Sequence, residues 1–238
     1  MGEIDSDVLA AFPIFRRLRR EALGELLIGA SVVDLPGGTR LFSERETPEF
    51  VHFLVSGVVE LSRLAGGSEC GVLMYTTGDV FMPGALFGEA NIASARILTP
   101  SRVLMIRVDA LMERASHSAA FSLQLCRLVA GQWRMAVRNI LDLKCRTAAQ
   151  RLGAFLLRVA DENPSSGAAH LPVPKRHLAV RLGMKAETLS RTLQLIADNG
   201  LHLRGRLIIV KDRERIERFC GPDPYPERDE TLLGVHVL

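Results

Sequence analysis

The period of the apolar positions changes twice along the chain. Over residues 1–30, Phe12-Pro13-Ile14-Phe15 precedes Leu18, Ala22, Leu23, Leu26 and Leu27, a helical stripe. Arg16, Arg17, Arg19 and Arg20 form its solvated face. From Ser31 to Arg107 the helical period is lost. Short apolar runs predict strands at Val32-Val33, Thr39–Phe42, Phe50–Val55, Val58–Leu64, Gly71–Tyr75, Ala95–Leu98 and Arg102–Arg107. Pro36-Gly37-Gly38, Ser56-Gly57, Ala65-Gly66-Gly67 and Thr77-Gly78-Asp79 separate them. Many short strands at this spacing predict an antiparallel sandwich or barrel. From Val108 the helical period returns, with a short helix at Asp109–Glu113 and a long one from Ser118 to Leu143. Phe121, Leu125, Leu128, Val129, Gln132, Ala136, Ile140 and Leu143 approximate a heptad seam, which predicts a parallel homodimer helix. Trp133, the single Trp, belongs to the core or to that interface.

Another helix, Thr147–Asp161, offers Leu152, Phe155, Leu156 and Val159 to a core. A Pro/Ser/Gly loop covers 163–169, and Leu171-Pro172-Val173-Pro174 leads, extended, into the next element. Lys175–Leu182 predicts a helix with Leu178, Ala179 and Leu182 on one face. Gly183 supplies a turn needing positive φ. Ala186–Asn199 predicts a second helix with Leu189, Leu193 and Ile196 inward. Glu187, Ser190, Arg191 and Gln194 make its polar stripe. Hydrogen-bonding side chains near the N-terminus of a second helix are what major-groove reading requires. Leu201–Leu203, a turn at Arg204-Gly205-Arg206, and Leu207–Val210 read as a hairpin. Helix, turn, helix, hairpin is a winged helix, with two arginines at the wing tip.

The charge distribution sharpens this picture. Residues 144–221 hold 15 Lys and Arg against 7 Asp and Glu, a balance of +8. Residues 1–143 balance to −2 and residues 222–238 to −3. The positive charge thus sits with the winged helix, as phosphate binding requires, and predicts salt-dependent association. Lys175, Lys185, Arg204 and Arg206 join the stripe as candidate DNA contacts. The four cysteines are scattered without metal-ligand or redox spacing, which predicts reduced thiols. No nucleophile–base pair, metal-ligand spacing or Gly-rich phosphate loop points to an enzyme. There is no bilayer-length apolar run, signal peptide or lipidation motif, so a cytoplasmic protein without membrane contact is expected.

The sequence LGMKAETLSRTLQLIADNGL (Leu182–Leu201), behind a strand-rich segment and a long helix, resembles the Crp/Fnr superfamily of bacterial transcription regulators. Glu187-Thr188-Leu189-Ser190-Arg191 is similar to the E-x-x-S-R pattern of the Fnr branch. PVPKRHLAVRLGM and KDRERIERF resemble the Dnr, Nnr and FtrB-type regulators. Met184-Lys185 departs from the pattern by lacking the Ser or Thr N-cap common before such a helix.

The resemblance implies an α+β chain. It would have a cyclic-nucleotide-binding-like jelly-roll β-barrel sensor (1–115), a central dimerisation helix (116–144), a winged helix-turn-helix (145–221) and a tail (222–238). It implies a homodimer reading double-stranded DNA at an inverted repeat related to TTGAT…ATCAA, with Glu187, Ser190 and Arg191 on base edges. RNA polymerase would be a further partner. An effector would act through a hinge near Leu143–Arg146. Cyclic-nucleotide members carry Gly-Glu and, about ten residues on, Arg-Ser or Arg-Thr-Ala. Here Gly88-Glu89 is present, Ala93 or Thr99 stands at the Arg position, and Arg96 is out of phase. A cyclic phosphate would be uncompensated, so cyclic AMP or GMP is not expected. No cysteine precedes Cys70, against an Fe–S cluster. The effector is open, with His52, Glu89 and Arg96 as candidates. One alternative is a haem sensor of nitric oxide or carbon monoxide using His52. Another is a ligand-binding module whose winged helix makes protein contacts.

Overall fold

The computed structural model describes residues 4–16, 18–81, 83–161, 169–171 and 174–221. Most of the expected loop at 163–169, Pro172-Val173 and the tail at 222–238 lie outside these. Contacts divide the chain into two units, one up to Met135 and one from Ala136. No described helix is long and apolar enough to cross a membrane.

In the first unit the expected helical lead-in is broken into α1 (Ser6–Ala10), a 3₁₀ turn (Pro13–Phe15) and α2 (Arg20–Leu26). Pro13 at the start of the 3₁₀ turn has no N–H to continue a helix from α1. Six strands follow: β1 (Ser31–Leu35), β2 (Arg40–Phe42), β3 (Phe50–Ala65), β4 (Ser68–Thr76), β5 (Val80–Phe81) and β6 (Ser94–Arg107). All their pairings are antiparallel. The sheet order is β1-β6-β3-β4, with β2 on β6 and β5 on β3.

Two pairs of expected short strands are fused here, 50–55 with 58–64 and 95–98 with 102–107. Ser56-Gly57 is a bulge within β3, not a turn between strands. Gly57 has φ +105°, and a Cβ there would lie 2.0 Å from Ser101 Oγ. That hydroxyl accepts from the Val58 N–H at 3.2 Å and donates to the Thr99 carbonyl at 2.7 Å. Glycine lets the two long strands touch where both bend. The bend brings Leu54 and Leu61 into one cluster with Phe42, Tyr75, Phe81, Ile97 and Val103. All six strands contribute to this cluster or pack against it, which is the arrangement of a sheet rolled around its own core.

The opposite face of the sheet buries Val51, Phe53, Leu104 and Ile106 under Phe12, Phe15 and Leu26. It also takes α3 (Val108–Ser116) through Leu111 and the first turns of α4 (Ala119–Cys145) through Phe121, Leu125 and Leu128. This corrects the expected dimer seam. Phe121, Leu125 and Leu128 are spent on the protomer's own core, and the Gln132 amide donates to the Val80 carbonyl. Val129, Trp133 and Ile140 remain exposed. The α4 helix is apolar on two faces, and the heptad reading merged them.

In the second unit α5 (Ala148–Asp161) buries Leu152, Phe155, Leu156 and Val159 at its centre, against α6 (Lys175–Arg181), α7 (Ala186–Asp198) and α8 (Arg213–Cys220). The wing is a sheet of three strands, ordered β7 (Ala169–His170), β9 (Leu207–Val210), β8 (Leu201–Arg204). The Asp212 carboxylate caps α8 by accepting from the Arg215 N–H at 3.0 Å. Asp212→Ala should cost about 1 kcal/mol, seen as a lower thermal midpoint. An unchanged midpoint would mean that packing by Ile216 and Cys220 holds α8 without the cap.

Candidate nucleic-acid interface

The helix-turn-helix is assembled from the inside. Leu178, Ala179 and Leu182 of the first helical segment and Leu189 and Ile196 of α7 are buried together. Gly183 makes the turn with φ +62°, and the next N–H, of Met184, donates to the Ala179 carbonyl at 3.0 Å. Thr192 is buried as well. Its hydroxyl lies 2.9 Å from both the Thr188 and Leu189 carbonyls, so a polar residue sits on the inward face with its hydrogen bond satisfied.

That inward stripe leaves Glu187, Ser190, Arg191 and Gln194 exposed on the opposite face, where sequence periodicity placed them. Among the described residues Glu187, Ser190 and Arg191 make no side-chain hydrogen bond or ion pair, and the i,i+4 pair Glu187–Arg191 is not formed. Gln194 donates to Asp198 at 3.1 Å. Lys185 precedes α7 in extended conformation and caps nothing with its side chain, as the missing Ser or Thr implied.

The wing cations divide into two kinds. Arg204, exposed at the tip, has no side-chain partner among the described residues. Arg206 donates from Nε to the Leu171 carbonyl at 2.7 Å, and the Leu171 N–H donates back to the Arg206 carbonyl at 2.8 Å. Arg206 therefore ties the lead-in segment to the wing. Lys175 is likewise directed inward, its Nζ 3.4 Å from the Leu203 carbonyl. Neither is the purely phosphate-directed cation expected from sequence. Arg204→Ala should lower the salt slope of DNA binding by about one while leaving stability unchanged. Arg206→Ala should lower the thermal midpoint too. An unaltered slope in Arg204→Ala would remove the wing tip from the phosphate contacts.

The sensor candidates are scattered. His52, on β3, is buried inside the rolled sheet. Its ring stacks on Phe81 at 5.2 Å and 13° and lies 5.4 Å from Phe42. Burial pushes its pKa down to about 4. Its Nδ1, on the ring edge through which a histidine binds iron, has no hydrogen-bond partner among the described residues. Ala93, one of the two positions at which the resemblance would put the cassette cation, is buried in the same apolar cluster. Arg96 pairs instead with Glu69 at 3.0 Å, and Glu89 is exposed. These residues do not fit a cyclic phosphate. No group of three or more His, Cys, Asp or Glu is placed to hold a metal among the described residues.

Residues 150–219 match the family model of a Crp-like helix-turn-helix domain, and residues 32–118 that of a cyclic nucleotide-binding domain. A CRP-like cAMP-activated global transcriptional regulator of Mycobacterium tuberculosis is 26% identical over 224 residues, covering 89% of this chain and 98% of the relative. The chain belongs to the Crp/Fnr superfamily of transcription regulators. Within that superfamily it is also similar to the nitrogen fixation regulation protein FixK of Azorhizobium caulinodans, 28% identical over 76% of this chain and 75% of that protein. The solved structure of FixK2 from Bradyrhizobium japonicum superposes with a TM-score of 0.70 at 26% identity, covering 79% of this chain and 96% of that one. The Crp/Fnr assignment accounts for the order of rolled sheet, long helix and winged helix.

Proposed function

We propose that this Crp/Fnr regulator is a homodimer that reads an inverted repeat related to TTGAT…ATCAA through Glu187, Ser190 and Arg191, with Arg204 on the flanking phosphates. The observation that carries this reading is the state of the α7 face. Three exposed side chains able to bond base edges stand in its first two turns, with no partner among the described residues. Arg pairs bidentately with guanine O6 and N7, Glu accepts from cytosine N4, and Ser serves either role. Left unbonded, they lose nothing within the protein when they bind DNA.

The second copy packs on the exposed stripe of α4. Cys126, Val129, Ala130 and Trp133 fall at i, i+3, i+4 and i+7, with Trp133 67% exposed. They form one wall of an apolar groove of about 690 Å³ whose other lining residues include Leu86, Phe87 and Met112. A contiguous apolar surface of this kind marks an interface. The effector of this chain is not a cyclic nucleotide, because neither Ala93 nor Thr99 would offer its phosphate a cation. RNA polymerase and a cytoplasmic location follow from the same regulatory role.

The test is fluorescence anisotropy of the full chain on labelled duplexes, matched and scrambled, at two salt concentrations. A matched site bound about 10³-fold or more tightly than scrambled DNA, with a steep salt slope, is the expected result. Equal binding to both duplexes would sink the reading. Loss of all DNA binding would leave the winged helix as a protein-contact module.

A further inference from the structure

The end of α4 is braced where the resemblance places a hinge. Asp142 Oδ1 accepts from Arg146 Nη1 at 2.8 Å, and its other oxygen lies 3.8 Å from Arg158 Nη1 on α5. The side chains of Asp142, Arg146 and Arg158 are only 25%, 13% and 19% exposed, so solvent screens these pairs weakly. Arg151, also on α5, reaches two backbone ends. Its Nη1 donates to the Arg146 carbonyl at 2.9 Å, and its Nε donates to the Leu182 carbonyl at 3.3 Å. Those carbonyls close α4 and the first helix of the helix-turn-helix. Leu143 completes the contact from the other side. A Cβ on Gly183 would stand 3.2 Å from Leu143 Cδ2. At the start of α5, the Thr147 N–H donates to Gln150 Oε1 at 2.9 Å and Gln150 N–H to Thr147 Oγ1 at 3.3 Å, a capping box that leaves the junction little slack. Contacts accordingly group Ala136–Cys145 with the winged helix.

We propose that Asp142 and Arg151 are positioning residues for DNA recognition: Asp142 fastens the last turn of α4 to α5, and Arg151 of α5 fastens the end of α4 to the helix-turn-helix turn, so the direction of those last turns of α4 sets the direction of α7. Neither lies on the reading face. The proposal rests on the reading of paired half-sites given above. A dimer selects a half-site spacing only when each recognition helix is held rigidly relative to the helix that pairs the subunits. A loose junction would let each α7 find its half-site independently. Spacing would then cease to matter, while base preference within a half-site would survive.

The experiment measures affinity of the full chain for inverted repeats at the preferred spacing and with two base pairs added or removed. Wild type is compared with Asp142→Asn and Arg151→Gln, and with Arg191→Ala as a base-readout control. For wild type, changed spacing should weaken binding by about a hundredfold, the scale of one or two base-pair mismatches. The two brace variants should lose about tenfold of that discrimination, the worth of one charge-assisted hydrogen bond. Base preference should be intact in them and relaxed only in Arg191→Ala. An equal loss at every spacing, or full retention of spacing discrimination, overturns the proposal.

Amide exchange over residues 143–150 of the full chain supplies a readout that needs no DNA. It should accelerate about tenfold in Asp142→Asn, with exchange in α8 unchanged. Unchanged exchange at 143–150 overturns the brace. If wild type prefers no inverted repeat over scrambled DNA, the DNA reading has failed, and amide exchange alone decides whether the brace exists. If Arg151→Gln does not fold, Asp142→Asn carries both measurements.

Discussion

Arg191→Ala is expected to weaken binding to a matched inverted repeat by about 1–3 kcal/mol per half-site, or about 5- to 150-fold. The loss should fall mainly on matched DNA. Arg191 is exposed on α7 and has no ion pair or side-chain hydrogen bond among the described residues, so nothing in the fold depends on it. Thermal stability should therefore change by less than about 0.5 kcal/mol. Preference should relax at one position of each half-site, because a guanidinium pairing with guanine O6 and N7 discriminates against the other bases. Arg191→Lys should not restore it, since an ammonium lacks the planar fork. Anisotropy on matched, single-mismatch and scrambled duplexes separates the outcomes. Equal losses on matched and scrambled DNA would make Arg191 a general phosphate contact.

The reading face was legible because helical period alone decides it. Once Leu189 and Ile196 turn inward, Glu187, Ser190 and Arg191 must turn out. Gly183 was legible for a similar reason, since a helix-turn-helix turn needs positive φ. Features that depend on distant neighbours were not legible. The Ser56-Gly57 pair looks like a turn until Ser101, remote in sequence, is seen bonding across it. Arg206 looks like a wing cation until the Leu171 carbonyl takes its Nε. The α4 seam was legible only in part, because Phe121, Leu125 and Leu128 pack into the protomer's own core while Val129, Ile140 and Leu143 stay exposed. Arg151 carried no signal, since an arginine on an amphipathic helix is ordinarily solvated. What could have raised it is its position four residues past Thr147, where one long side chain reaches both helix ends. The α8 helix is readable from Asp212 as its N-cap and Ile216 as its inward residue.

The chain should lose stability as pH falls from about 6.5 toward about 4, and His52 should supply about 3 kcal/mol of that loss at its limit. The cause is burial: the ring packs against both Phe42 and Phe81, and its Nδ1 has no hydrogen-bond partner among the described residues. Charging it inside the apolar cluster is unfavourable, so the folded protein binds the proton only near pH 4, whereas the unfolded chain binds it near pH 6.5. Between those values the unfolded state takes up more protons, and acid favours unfolding. Above about pH 6.5 both states are neutral and the contribution is complete. Glu60 works in the opposite direction. Its carboxyl is pushed up by burial and then by Glu69, against the pull of Arg96, so acid relieves a charge that the fold holds poorly. Urea unfolding of wild type and His52→Leu at pH 7, 6, 5 and 4.5 isolates the His52 contribution as a difference that cancels Glu60 and the other carboxylates. His52→Leu should lose less stability on acidification than wild type, the gap opening below pH 6.5. Parallel curves would mean that water reaches the ring inside the rolled sheet, and the interior would then have to be regarded as open to polar ligands.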